Sequence, residues 1–326
     1  MRQNSAVQNT GALLIIAAFA FALITGANDG ASLIALNLES RAMRPLTALL
    51  ILTAAVAIGP MILGTAVAST LAVGLTRFSA TGGSDALLLA LIVTVGVMAI
   101  WARLGLPSSV TQALTGSIIG IGVGRGLPVD ISTVARVLII LAIAPIIAGL
   151  LGMAAALILE RTRPATTMRR HLSRLQGASF VAQCAGYAAN DAQKMVAVAA
   201  VAFGLIGSGQ VETAPGVQLL IAVAFFVGTC IGVDGLGSRI TKLLPAHSLQ
   251  PVSAGFASAS VVIASALAGS PVSMAQAQTS ALVGSETVLE SYRRVRWGQV
   301  ERILSVWFTT LPSAIVAAVF VGLITR

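Results

Sequence analysis

The chain predicts an all-α integral membrane protein made of two inverted-topology repeats of about five spans each, with 10 to 12 helices once broken and re-entrant ones are counted. Composition, an internal duplication and the placement of arginine carry that prediction. Of 326 residues, 56% are hydrophobic and 10% charged, and the mean hydropathy is +0.93, far outside the range of soluble domains. Apolar runs of the roughly 20 residues needed to cross a bilayer recur from "GALLIIAAFAFALI" to "LPSAIVAAVFVGLI". Within lipid, such runs satisfy their backbone groups only as helices.

The duplication is anchored by polar motifs. "TGANDGASL" at 25–33 sets Asn28 and Asp29 in an apolar run, and "AGYAANDAQKM" at 185–195 repeats the pair as Asn190 and Asp191, 162 positions later. "LPSSVTQAL" at 106–114 pairs with "SPVSMAQAQ" at 270–278, so Pro107, Ser109 and Gln112 fall on Pro271, Ser273 and Gln276 at an offset of 164. "LGTAV" at 63–67 and "VGTCI" at 227–231 share that offset, as do Gly120 and Gly284. Four anchors in one order divide the chain into a first repeat at 1–160, a basic linker at 161–176 and a second repeat at 177–326.

The first repeat reads as spans at about 11–39, 46–74, 85–101, 106–124 and 132–159, and the second as their copies. The first span is longer than a bilayer needs, and Gly26 lies where it can break. Pro107 and Pro271 are placed to start half-helices, each followed at once by hydroxyls. An odd number of spans inverts the second repeat. With the arginine-rich linker placed in the cytoplasm, fourteen loop and linker cations fall inside and five outside, and both termini face outward.

This distribution also explains the net charge of +9. The arginines lie in short loops with no interleaved aromatic residues, so the expectation is a lipid bilayer as partner and no nucleic acid. Cys184 and Cys230 each sit in apolar surroundings and read as small buried residues rather than a disulfide. The only histidines, His171 and His247, lie in the linker and a loop and form no metal cluster, so no enzyme is expected.

A carboxylate in lipid is expensive unless paired or hydrated. Asp29 and Asp191, each beside a carboxamide (Asn28, Asn190) and near unwound backbone, offer hard oxygens that suit a sodium ion, or a proton if the acid titrates. Helix capping alone is the simpler use of one such pair; two copies at matching depth in an inverted duplication favour cation binding. Ser108, Ser109 and Thr111, with Ser273 opposite, are neutral donors at helix N-termini, where free N–H groups and the dipole attract an anion. Gln112 and Gln276 hold equivalent positions and suit either an anion or inter-helix bonding. Lys194 shares a helical face with Asn190 and Asp191, and either neutralises Asp191 or attracts the anion; its repeat counterpart is Ser32.

Together these motifs resemble the inorganic phosphate transporter (PiT) family of sodium- or proton-coupled permeases. The resemblance rests on "GANDGAS", "AANDAQK", "GLPSSVTQA", "GSPVSMAQA" and the closing "VRWGQVERILSVWFTTLPSA", and covers nearly the whole chain. It implies that Asn28, Asp29, Asn190 and Asp191 serve the coupling cation and that Ser109 and Ser273, with Thr111 beside them, serve phosphate. The sequence departs from the family pattern at four places. Gln112 and Gln276 stand where the family has histidine, Met274 and Ala275 where it has threonines, Ser32 where it has a second asparagine, and Val56 where it often has a glutamate.

The resulting expectation is a secondary transporter importing inorganic phosphate with a coupling cation, sodium in preference to a proton, by alternating access, with no cofactor beyond that ion. The alternatives are a permease for sulfate or another tetrahedral oxyanion, and a passive anion channel. Family analogy implies a homodimer. Short loops and the absence of N-x-Ser/Thr sites suit a prokaryotic inner membrane.

Overall fold

The computed structural model describes residues 2–40, 43–78, 82–104, 108–162, 168–233 and 249–326. In the first repeat, α1 (Arg2–Thr25) continues through a π turn (Gly26–Gly30) into α2 (Ala31–Ser40), so the helix is widened and underwound at the Asn28–Asp29 motif rather than broken. The expected span at 46–74 is two pieces. Helix α3 (Pro45–Leu63) stops at Gly64, whose φ of 87° is open to glycine, and a short α4 (Ala66–Ser69) with a second π turn (Thr70–Gly74) follows. Helices α5 (Gly83–Arg103), α6 (Val110–Arg125) and α7 (Ile131–Arg161) complete the repeat.

In the second repeat, α8 (Met168–Ala189) ends at Asn190, and α9 (Asp191–Phe203) starts directly after it. Residues 168–176 of the expected linker are wound into α8. A two-residue-per-strand hairpin, β1 (Ile206–Gly207) and β2 (Gln210–Val211), leads to α10 (Pro215–Gly232), α11 (Gln250–Leu267), α12 (Met274–Glu286) and α13 (Trp297–Ile324). Pro107 and the loop cations Arg41, Arg239 and Lys242, with His247, lie outside the described residues. Cys184 and Cys230 are both free, and Cys184 is buried as expected, but Cys230 is exposed, against the expectation of two buried cysteines.

Seven helices among the described residues are long and apolar enough to cross a membrane. Helices α6, α9 and α12 are not among them: at 16, 13 and 13 residues they reach only about 20–24 Å. They are instead enclosed by protein, with nearly every residue of α6 buried. The polar side chains of these three short helices therefore lie largely against other helices rather than lipid.

Close backbone approach fixes the direction of these helices. Gly116, Gly120 and Gly124 on α6 step along the Leu311, Ile315 and Val319 carbonyls of α13 in the same order, so α6 and α13 run parallel. They end on one face, where Arg125 Nε donates to Thr325 Oγ1 at 3.3 Å. Helix α13 therefore starts on the opposite face, beside the end of α12. The two half-helices leave the middle of the protein toward opposite faces, which is the predicted inversion. Because α7 crosses back from the end of α6, the linker lies on the face toward which α12 points. The packing is exchanged between repeats: α6 lies on α13, while α12 lies on α7 through Gly284, Gly149 and Gly152. Likewise α10 packs against α1, with Gly228 at the Leu23 carbonyl. The core is thus shared by both halves.

Candidate functional site

The two half-helices begin almost identically. Ser109 (φ −96°, ψ 117°) and Ser273 (φ −94°, ψ 120°) are their N-caps, and each hydroxyl accepts the backbone N–H of Gln112 or Gln276 at 3.3 Å. Helix starts therefore fall at the serines, a few residues after the expected prolines. The first turns meet across the repeats, where Thr111 Oγ1 donates to the Val272 carbonyl at 3.5 Å. Two positive dipole ends so converge at the centre, an arrangement that attracts an anion. Ser108 is half-buried beside Ser109. The side-chain oxygen of Gln112 and both amide atoms of Gln276 are buried without partners.

The two Asn-Asp copies are used differently. In the second, Asn190 Oδ1 accepts the Val272 N–H and its Nδ2 donates to the Ser270 carbonyl, each at 2.9 Å, which clamps the extended segment leading into α12. Asp191 Oδ2 accepts the Met274 N–H at 3.2 Å. Lys194, 1% exposed, donates to Asp191 Oδ1 at 2.5 Å, to Thr111 Oγ1 at 2.5 Å and to the Val272 carbonyl at 2.8 Å. Those three bonds use all three ammonium donors. In the first copy, Asn28 Nδ2 donates to Asp29 Oδ1 at 2.7 Å and the Asn28 carbonyl accepts the Ser32 hydroxyl at 2.6 Å. Asp29 is buried yet close enough to Asp191 and Lys194 for their charges to interact. The structure thus gathers Asp29, Asp191, Lys194 and Thr111 with both serine caps.

Three residues were not singled out from sequence. Tyr187, one helical turn before Asn190, is fully buried with its hydroxyl unpartnered, within electrostatic range of both aspartates, and its ring packs on Phe225. Gln193 Oε1 accepts the N–H groups of Val67 and Ala68 at 2.8 and 3.0 Å, so the second repeat caps the short α4 of the first. Glu286, at the end of α12, is buried with neither oxygen bonded. Gln193 lies inside the AANDAQK motif itself, whereas burial rather than residue type sets Tyr187 and Glu286 apart.

From Ser108, Ser109 and Ser273 a narrow cavity of about 60 Å³ runs between α12 and α13 toward Glu286 and Arg296. That is room for about two water molecules.

Residues 25–176 and 163–318 each match the sequence profile described as the phosphate transporter family. A probable low-affinity inorganic phosphate transporter of Bacillus subtilis (strain 168) is 28% identical over 315 residues, 92% of each chain. One of Mycobacterium tuberculosis (strain ATCC 25618 / H37Rv) is 30% identical over 96% of this chain and 77% of its own length. A solved structure titled "The sodium-dependent phosphate transporter" superposes with a TM-score of 0.77 at 17% identity, over 97% of this chain and 99% of that one. Each of the paired matches takes in one repeat, and the two overlap at 163–176. The chain belongs to the phosphate transporter family.

Proposed function

We propose that the protein is a secondary transporter that moves inorganic phosphate together with a coupling cation, sodium in preference to a proton, by alternating access. The observation that carries this reading is the pair of half-helices capped by Ser109 and Ser273, whose N-termini converge from inverted repeats. The phosphate would sit against Ser108, Ser109, Ser273 and the first-turn N–H groups. The cation would sit at Asp29 with Asn28, since the Asp191 carboxylate already holds Lys194 and the Met274 N–H. Among the described residues no cluster of three His, Cys, Asp or Glu side chains exists, so sodium would need amide and carbonyl oxygens to complete its shell. Cation and anion would raise each other's affinity by the same factor.

The buried, unpartnered oxygens of Gln112 and Gln276 favour phosphate over sulfate. Protonated phosphate donates a hydrogen bond to such an acceptor, whereas sulfate only accepts. The arginine-rich linker face would be cytoplasmic and the face carrying Thr325 external. The test is uptake of labelled phosphate into proteoliposomes under an imposed sodium or proton gradient, with unlabelled sulfate as competitor. Concentrative uptake driven by sodium and insensitive to sulfate supports the reading. Preference for sulfate, or equilibration without accumulation, would replace it with an oxyanion permease or a channel.

A further inference from the structure

Where α13 begins, its outer surface carries a groove on the linker face. The groove holds about 600 Å³ and is lined by Tyr292, Trp297, Glu301, Leu304, Ser305 and Phe308, among others. Trp297, Glu301, Leu304 and Phe308 recur at helical spacing, so they form one lengthwise strip. The end nearest the linker face is fixed. Ser291, with a φ of 134°, turns the chain, the Trp297 indole N–H donates to the Tyr292 carbonyl at 3.0 Å, and the two ring centroids lie 4.7 Å apart. At the other end Phe308 is 76% exposed. Helix α13 has 28 residues, about 42 Å, whereas a hydrocarbon core is about 30 Å thick. The excess falls at its start, because residues 303–324 carry no charge. Tyr292 and Trp297 thus stand at headgroup depth, where such rings collect, and Phe308 lies about 16 Å further along, among acyl chains. Residues 290–302 hold four arginines against two glutamates, and Glu290 is paired with Arg294 at 2.7 Å. Arg293 is exposed beside Tyr292, and Arg302, also exposed, stands one turn before Ser305 and two before Thr309, both in the groove wall. The other repeat has no copy of this arrangement: at the offset of 164, Tyr292, Trp297, Arg302 and Phe308 fall on Pro128, Thr133, Leu138 and Ala144.

We propose that this groove binds one anionic phospholipid from the leaflet on the linker face. Its phosphodiester lies against Arg293 and Arg302, a headgroup hydroxyl donates to the Glu301 carboxylate, and an acyl chain runs along Leu304 and Phe308. A glycerol headgroup supplies both the net charge and the hydroxyl. A choline headgroup has no donor, and the ammonium of an ethanolamine headgroup meets a net positive surround. Charge also disfavours a second copy of the chain as occupant, since a two-fold interface here would set the same arginines against each other. Val300 lines both this groove and the narrow cavity from the serine caps, so one helix wall separates the lipid from that cavity. An occupied groove holds the wall in place, and phosphate passage should therefore depend on the lipid. This consequence for transport rests on the function proposed above; the binding itself does not.

The experiment uses the full-length protein in detergent without phosphate. It is titrated with phosphatidylglycerol, phosphatidylethanolamine and phosphatidylcholine of the same acyl chains, and bound lipid is counted by native mass spectrometry. Wild type is compared with the double variant Arg293→Gln/Arg302→Gln and with Arg136→Gln, which removes an exposed arginine near the start of α7, on the opposite face. The expected result is a preference for phosphatidylglycerol in wild type and in Arg136→Gln. Each arginine near an anionic surface tightens binding about fivefold, so the double variant should bind that lipid about 25-fold more weakly. Equal binding of the three lipids, a preference for phosphatidylethanolamine, binding unchanged in the double variant, or an equal loss in Arg136→Gln would overturn the site. Should the double variant not fold, wild type decides: the preference should shrink at high salt, and one untouched by salt would overturn it. A lipid-free protein dimer that Phe308→Ala dissociates would make the groove an interface between copies and overturn the lipid site. The predicted lipid binding upholds the site whatever phosphate uptake shows, whereas uptake that fails in every lipid counts against the transport reading alone.

Discussion

Replacing Lys194 by Met separates its two possible roles. The ammonium is 1% exposed and bonded to Asp191, Thr111 and the Val272 carbonyl. Met keeps the length of the side chain and removes the charge, so Asp191 would be left buried without its cation, held only by backbone N–H groups such as that of Met274. Removing one partner of a buried pair destabilises by about 3–5 kcal/mol. Thermal or denaturant unfolding of the detergent-solubilised protein measures the loss, and a cycle with Asp191→Asn isolates the pair. The double variant is expected to be more stable than Lys194→Met alone, because the orphaned charge is gone. If Lys194→Met unfolds like wild type and instead weakens phosphate binding, the lysine serves the anion and the account of it as a clamp between the repeats is wrong.

Further outcomes follow from the same geometry. A side chain at Gly120 would drive its Cβ into the Ile315 carbonyl oxygen of α13, a helix backbone that cannot give way as a flexible side chain can. Gly120→Val should therefore lower stability by at least the ~1–3 kcal/mol of core overpacking, read as a lower unfolding midpoint. Ser109→Ala and Ser273→Ala each remove an N-cap bond worth about 1 kcal/mol and a donor to the anion. Both should raise the half-saturating phosphate concentration in uptake assays, and a change in only one would contradict the symmetric placement. Asp130 caps α7, and hydrogen bonds from Ser132 and Thr133 hold its carboxyl below the ordinary carboxylate range. A lowered folded-state value stabilises above the usual carboxylate pKa and is lost as pH falls through the lowered one. Asp130→Ala should flatten the acid limb of a stability profile in that window and leave neutral-pH uptake unchanged.

The parts of this structure readable from sequence are those written in residue type. An Asn-Asp pair in an apolar run is conspicuous, and its return as Asn190–Asp191 revealed the duplication. The serine caps were readable because Ser109 and Ser273 sit where an N-cap belongs. The different fates of the two motifs were not readable. Asn190 breaks its helix because its amide clamps Ser270 and Val272, 80 and 82 residues away, whereas Asn28 bonds its own neighbour and its helix absorbs the motif as a π turn. Lys194 was ambiguous because its third partner, Thr111, comes from the other repeat. The expected span at 46–74 ends early at Gly64, since hydropathy continues across a glycine whose positive φ stops the helix. Tyr187 and Glu286 were overlooked because burial, not identity, makes them unusual.

The most direct test of the central claim is phosphate binding to the purified protein, measured calorimetrically with and without sodium, for wild type and Asp29→Asn. The account predicts that sodium tightens phosphate binding to the wild type, that phosphate tightens sodium binding by the same factor, and that Asp29→Asn retains weak phosphate binding but loses the linkage. Phosphate affinity that ignores sodium in the wild type, or an undiminished linkage in Asp29→Asn, would contradict it.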